Sequence, residues 1–206
     1  MTQIAQSNYM FHQSAPINFC GHNYTIRAAK NYLEKIKVTY KADNEISESF
    51  YKLYQKSLPK WIAKPLQKIE KFINFVTMFP TEFAKKDIQC VINEEGKIVG
   101  SVSAEKIMRS YHIYNLYLDD TIKNTKDSPK VLTLIVNKIK ELAEQKHIST
   151  VSCQVYDKAK SLIRLYEKAG FKAIKLPTHL KSHLVIDMEA KTKDLGLNFG
   201  KYKERH

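Results

Sequence analysis

Apolar residues recur along this chain at two spacings, and the changes from one to the other mark out its elements. Residues 1–20 keep no period. Asn23 to Ala28 has the alternation of a short strand, and so does Lys35 to Tyr40, where Ile36, Val38 and Tyr40 share one face. Asn44 or Ser47 suits the cap of a helix over Ile46 to Ser57, with Phe50, Leu53 and Tyr54 inward and Pro59 as its stop. Leu66, Ile69, Phe72, Ile73, Val76 and Phe79 form a helical stripe between Pro65 and Pro80. Asp87 to Ile92 and Lys97 to Ile107 read as strands joined by a hairpin turn over Asn93, Glu94, Glu95 and Gly96. Tyr111 to Leu118 is a third strand, with Ile113 and Tyr117 expected on one face and Tyr114, Leu116 and Leu118 on the other.

After a polar loop from Asp119 to Asp127, Ser128 and Pro129 predict a helix start, with Ser128 as N-cap. The buried stripe of that helix is Leu132, Ile135, Val136, Ile139, Leu142 and Ala143. Strand spacing returns at 149–156 in Val151, Cys153 and Val155, and helix spacing follows from Lys158 through Leu162, Ile163, Leu165, Tyr166 and Ala169. Gly170 stands where a helix end wants positive φ. Phe171–Lys175 and His183–Glu189 close the pattern as strands. The order β, α, α, β, β, β, α, β, α, β, β predicts an α/β fold: a mixed, mostly antiparallel sheet flanked by helices. The divisions expected are an N-terminal extension over 1–34, one domain over 35–189, and a basic C-terminal tail over 190–206.

Composition adds three points. The formal net charge is +13, nearly all from lysine. That surplus attracts polyanions, or simply solvates the surface. Cys20, Cys90 and Cys153 form no CxxC pair and fit reduced thiols in a cytoplasmic protein. No apolar run nears the roughly 20 residues needed to span a bilayer, and the first residues do not resemble a signal peptide. Nothing has the spacing of a zinc site, a Walker loop or a dinucleotide fingerprint, so no metal is expected. Cys153 shares its face with Val151 and Val155 and reads as a buried apolar residue.

The segment Leu165-Tyr166-Glu167-Lys168-Ala169-Gly170-Phe171, together with the element order over 35–189, resembles the GNAT N-acyltransferase superfamily. The resemblance implies acetyl-CoA or another acyl-CoA as substrate and an amine as acceptor, whether a small molecule, a protein or a polyanion such as transfer RNA. In that family a loop of pattern R/Q-x-x-G-x-G/A opens the helix after the fourth strand, and its free N–H groups hold the pyrophosphate. The matching window runs from Lys123 to Ser128. Lys123 takes the basic start, Lys126 stands at the first glycine and Ser128 at the second small position. Lys123, Lys126 and Lys130 supply positive charge there, and Thr125 and Ser128 supply hydroxyls. Asp127 and Pro129 depart from the pattern.

The resemblance also implies that the backbone of Leu116, Tyr117 and Leu118 pairs with the pantetheine arm. It puts Ala159 where an Asn often contacts that arm, and Tyr166 beside the thioester sulfur as the acid for the departing thiolate. A phenol of pKa about 10 is protonated at neutral pH and able to donate. Read without the resemblance, Tyr166 is an inward helix residue. His112 is the group near the third strand that titrates near neutrality, and so the candidate base; its other reading is an ordinary strand-start histidine. Asn115 lies close to the usual Glu and accepts no proton. The alternative function is a GNAT-fold module without catalysis that binds a protein partner or nucleic acid.

Overall fold

The structure is a computed structural model and describes residues 23–54, 65, 68, 86–174 and 184–197. Its elements are β1 (Thr25–Ala28), α1 (Tyr32–Tyr54), β2 (Asp87–Ile92), β3 (Ile98–Ile107), β4 (Ser110–Leu118), α2 (Ser128–Gln145), β5 (Thr150–Tyr156), α3 (Lys160–Lys168), β6 (Lys172–Ala173) and β7 (Val185–Lys191). The strands form one seven-stranded sheet in the order β1-β2-β3-β4-β5-β7-β6. Every neighbouring pair is antiparallel except β4 and β5, which are parallel. This is the mixed α/β architecture that the pattern predicts. The expected helix over Leu66–Phe79 lies outside the described residues except for Lys68, as do the side chains of Phe50, Leu53 and Tyr54.

The main core lies on the sheet face that carries α2 and α3. There Val131, Ile135 and Ile139 of α2 share one buried cluster with Tyr111, Val151 and Met188 from the strands. The apolar stripe of α2 requires that contact, because it repeats along one helix face. Gly100 lets α2 approach β3: a Cβ there would sit 3.0 Å from a methyl of Val131. The other face carries α1, where among the described residues Val38 packs on Ile88 and Cys90. Around it the interface is polar, with Thr39, Ser101, Ser103 and Asn115 buried.

Several expectations are corrected. Lys35–Tyr40 is not a strand but the second turn of α1. Six residues of alternation also suit a helix when they extend into a longer unbroken run, and here the buried positions Val38 and Ala42 are four apart. Neither Asn44 nor Ser47 starts the helix. Asn31 does, its side-chain oxygen accepting from the Glu34 N–H at 2.9 Å. The first strand of the sheet is β1, so the chain enters the fold before residue 35 and the boundary of the N-terminal extension moves back.

Ser128 is not the cap of α2: Asp127 occupies the N-cap without a side-chain cap bond. A bulge at Tyr114 overturns the expected faces of β4. Ser103 pairs with Asn115 and Ala104 with Ile113, leaving Tyr114 as the extra residue. Ile113, Leu116 and Leu118 therefore belong to the main core while Tyr117 turns toward α1. The last strand continues through Lys191, and Leu195 and Leu197 are buried in the core, so this part of the expected tail is a packed segment.

A candidate active site at the fork between two parallel strands

The parallel pairing of β4 and β5 runs from Ser110↔Thr150 to Ile113↔Cys153 and stops. Beyond it β4 continues to Leu118 and β5 to Tyr156. The bulge at Tyr114 coincides with the parting, as expected where an extra residue bends one strand away from its neighbour. Between the diverging strands opens a cavity of about 740 Å³, a size suited to a cofactor-sized molecule. Asn115, Leu116 and Leu118 line it from β4, and Gln154, Val155 and Tyr156 from β5. Ala42, Glu45 and Ile46 close it from α1, while Leu162, Leu165 and Tyr166 close it from α3.

Tyr166 is the buried side chain of α3, only 6% exposed. Its position follows from the local sequence. Gly170 adopts φ +101° and ends the helix, and the Phe171 N–H returns to the Tyr166 carbonyl at 2.9 Å. The Phe171 ring then packs edge-on against Tyr166, with centroids 5.1 Å apart. The Tyr166 hydroxyl bonds no described residue. Burial, with a smaller effect from Cys153, raises its pKa well above the ordinary phenol value and keeps it protonated.

The structure brings some of the sequence-nominated residues together and sets others apart. Leu116, Leu118, Lys123, Ala159 and Tyr166 line the cavity. Tyr117 does not: its hydroxyl donates to Asp119 at 3.0 Å, and Lys41 lies over its ring. His112 sits on the opposite sheet face from the α3 side chains, with Nδ1 3.0 Å from Ser152 Oγ, and burial lowers its pKa. Ala159 is the N-cap of α3 and has no side-chain cap bond to offer.

The loop before α2 is tied largely to itself. Thr125 Oγ donates to the Ile122 carbonyl at 2.7 Å and accepts from the Asp127 N–H at 3.2 Å. The Ser128 N–H goes to the Thr125 carbonyl. Asp127 accepts from Tyr24 at 2.9 Å and pairs with Lys130 at 2.8 Å, which neutralises the carboxylate nearest the helix start. Lys123 reaches Glu45 of α1 at 2.7 Å and Asp120 at 3.2 Å. Lys126 is exposed.

Sequence reading missed the residues that α1 and the β5–α3 turn bring to the cavity. Glu45 and Lys52 come from α1, Lys158 from the turn and Lys160 from the first position of α3. With Lys123 this makes four lysines against one glutamate, an environment for an anionic ligand. The signal for the turn lysines was present in their place immediately after a strand, at a helix start. The signal for α1 was hidden by taking Lys35–Tyr40 as a strand.

Comparison with known proteins agrees with this geometry. No curated protein gives a significant match. The PaiA N-acetyltransferase of Thermoplasma acidophilum, solved with coenzyme A, superposes with a TM-score of 0.57 at 16% identity, covering 81% of this chain and 98% of that one. A GNAT-family acetyltransferase from Staphylococcus aureus gives 0.51 at 16% identity, covering 81% and 99%. At these identities the likeness shows the fold. A family profile described as acetyltransferase (GNAT) domain matches residues 62–192, more than half of the chain, and the chain belongs to that family.

Proposed function

We propose that the protein moves an acyl group from acetyl-CoA or another acyl-CoA to an amine by direct attack of the amine on the thioester. The observation that carries this reading is the fork, with a phenol in its wall that bonds no described residue. An extended amide-bearing arm laid along an open strand edge finds backbone partners, as an added strand does, and Leu116, Tyr117 and Leu118 are the edge it would follow. The phosphates would meet Lys123, Thr125, Lys126, Ser128 and Lys130 on one lip, with Lys158 and Lys160 on the other. Nitrogen attacks the carbonyl carbon, the C–S bond breaks, and Tyr166 gives its proton to the departing thiolate. The nitrogen's remaining surplus proton then returns to the Tyr166 oxygen. The acceptor is an amine of a small molecule, a protein or a polyanion; the charge of +13 favours encounter with the last. Buried free thiols at Cys90 and Cys153 suit a cytoplasmic setting.

A second reading, a GNAT-fold module that binds a protein partner or nucleic acid without catalysis, draws on the self-bonded loop before α2. Thermal shift separates the two. At about 100 times its dissociation constant a ligand stabilises by roughly 2.7 kcal/mol, so acetyl-CoA, CoA or a longer acyl-CoA should raise Tm. No shift with any of them would leave the binding module standing.

A further inference from the structure

We propose that Asp43, on α1, accepts the proton that the acceptor's ammonium group must lose before it attacks, through one water between the carboxylate and the fork. This rests on the acyl-transfer reading and goes beyond it, because His112, the base that the sequence nominates, stands on β4 bonded to Ser152 and does not line the cavity. Asn115 occupies the point where β4 leaves β5 and lines the cavity. Its Nδ2 donates to Asp43 Oδ1 at 2.9 Å, and its Oδ1 accepts from Ser103 Oγ at 2.7 Å. A carboxylate only accepts, so Asp43 fixes which way the amide faces. The other oxygen, Asp43 Oδ2, bonds no described residue and is not among the sealed unpaired atoms.

Three other carboxylates near these elements are held by basic or amide partners. Glu45 holds Lys123 at 2.7 Å, Asp119 holds Lys41 at 2.7 Å, and Asp187 accepts from Gln154 at 2.9 Å. The ionisable groups on the elements around Asp43 are Tyr40, Lys41 and Glu45 on α1, His112, Tyr114 and Tyr117 on β4, Glu105 on β3, and Lys86 before β2. Burial raises the Asp43 pKa toward the range of a useful base, while the Asn115 bond and the charge of Lys86 oppose that rise. The step balances. The ammonium gives one proton to Asp43, the neutral amine displaces the thiol, and the proton leaves to solvent after the amide departs.

The test compares two acceptors at saturating acetyl-CoA. Butylamine is an ammonium at pH 7 and needs a base, whereas hydroxylamine is already neutral. Asp43→Asn should lower kcat/KM for butylamine by about 100-fold, move the acidic limb of its pH profile up toward the amine's own pKa, and leave both the hydroxylamine rate and the acetyl-CoA thermal shift unchanged. Equal butylamine rates in wild type and variant, nil included, overturn the proposal. So does an equal fall with both acceptors, which would make Asp43 a structural support for Asn115. A wild type with neither an acetyl-CoA shift nor hydroxylamine turnover sinks the acyl-transfer reading, and this proposal with it.

Discussion

Tyr166 shows how much one side chain's identity reveals and where its surroundings must take over. Its place in a Leu-Tyr-Glu-Lys-Ala-Gly-Phe string nominated it, and the structure sets it in the cavity wall with its hydroxyl bonded to no described residue. Tyr166→Phe keeps the ring packed against Phe171 and removes only the proton. Turnover should therefore fall by about 100-fold or more while acetyl-CoA still shifts Tm; an undiminished rate would take Tyr166 out of the chemistry. Single residues were legible where they belong to a local string. Asp43 and Glu45 were not, because their meaning depends on which face of the sheet α1 covers, and nothing within a few positions of them in the chain encodes that. Tyr117 was misplaced for a related reason. One extra residue at Tyr114 reverses the alternation beyond it, and a bulge leaves no mark on periodicity when polar and apolar residues are this mixed.

At the scale of elements, α1 was the main misreading, and its start explains why it forms. Asn31 caps the first turn, while Glu34 accepts from the Lys30 N–H and forms a two-pronged pair with Arg27 of β1, at 2.7 and 2.8 Å. This Asn-x-x-Glu box was visible in the sequence. The strand-like alternation from Lys35 to Tyr40 beside it masks that signal. The Arg27 guanidinium, and then the Lys30 N–H against the cost of burial, hold the Glu34 carboxyl down at about 2, against an ordinary 4.5. A depressed carboxyl contributes its stability above the unfolded value and loses it as pH falls through the folded one. Glu34→Gln should therefore cost about 1–2 kcal/mol at pH 7. The difference from wild type should shrink between pH 4.5 and 2, followed by urea unfolding at each pH. A constant difference across that window would show that the pair contributes nothing. Elements with long stripes or tight turns, such as α2 and the β2–β3 hairpin, were legible because their signals are local and redundant.

Over the whole molecule, the sheet order and the packed C-terminal segment had to come from tertiary structure. The chain after β7 folds back on the end of α3: the Gly196 N–H reaches the Ala169 carbonyl, and a Cβ on Gly170 would lie 2.8 Å from the Asp194 carbonyl oxygen. Gly170→Ala meets both that contact and the positive φ, so it should cost about 2 kcal/mol and lower Tm by roughly 4–8 °C. Gly196→Ala, with nothing within 4 Å, should leave Tm in place; equal losses for the two would deny the docking its importance.

The fork has one more consequence. β1 to β4 form one half-sheet and β5 to β7 another, and the seam between them is four residue pairs long. A molecule laid along the open edges supplies rungs that this seam lacks. Its affinity and the cohesion of the two half-sheets are then one free energy seen from two sides. Backbone amides along the seam, including those no ligand touches, would exchange with solvent more slowly once the fork is filled.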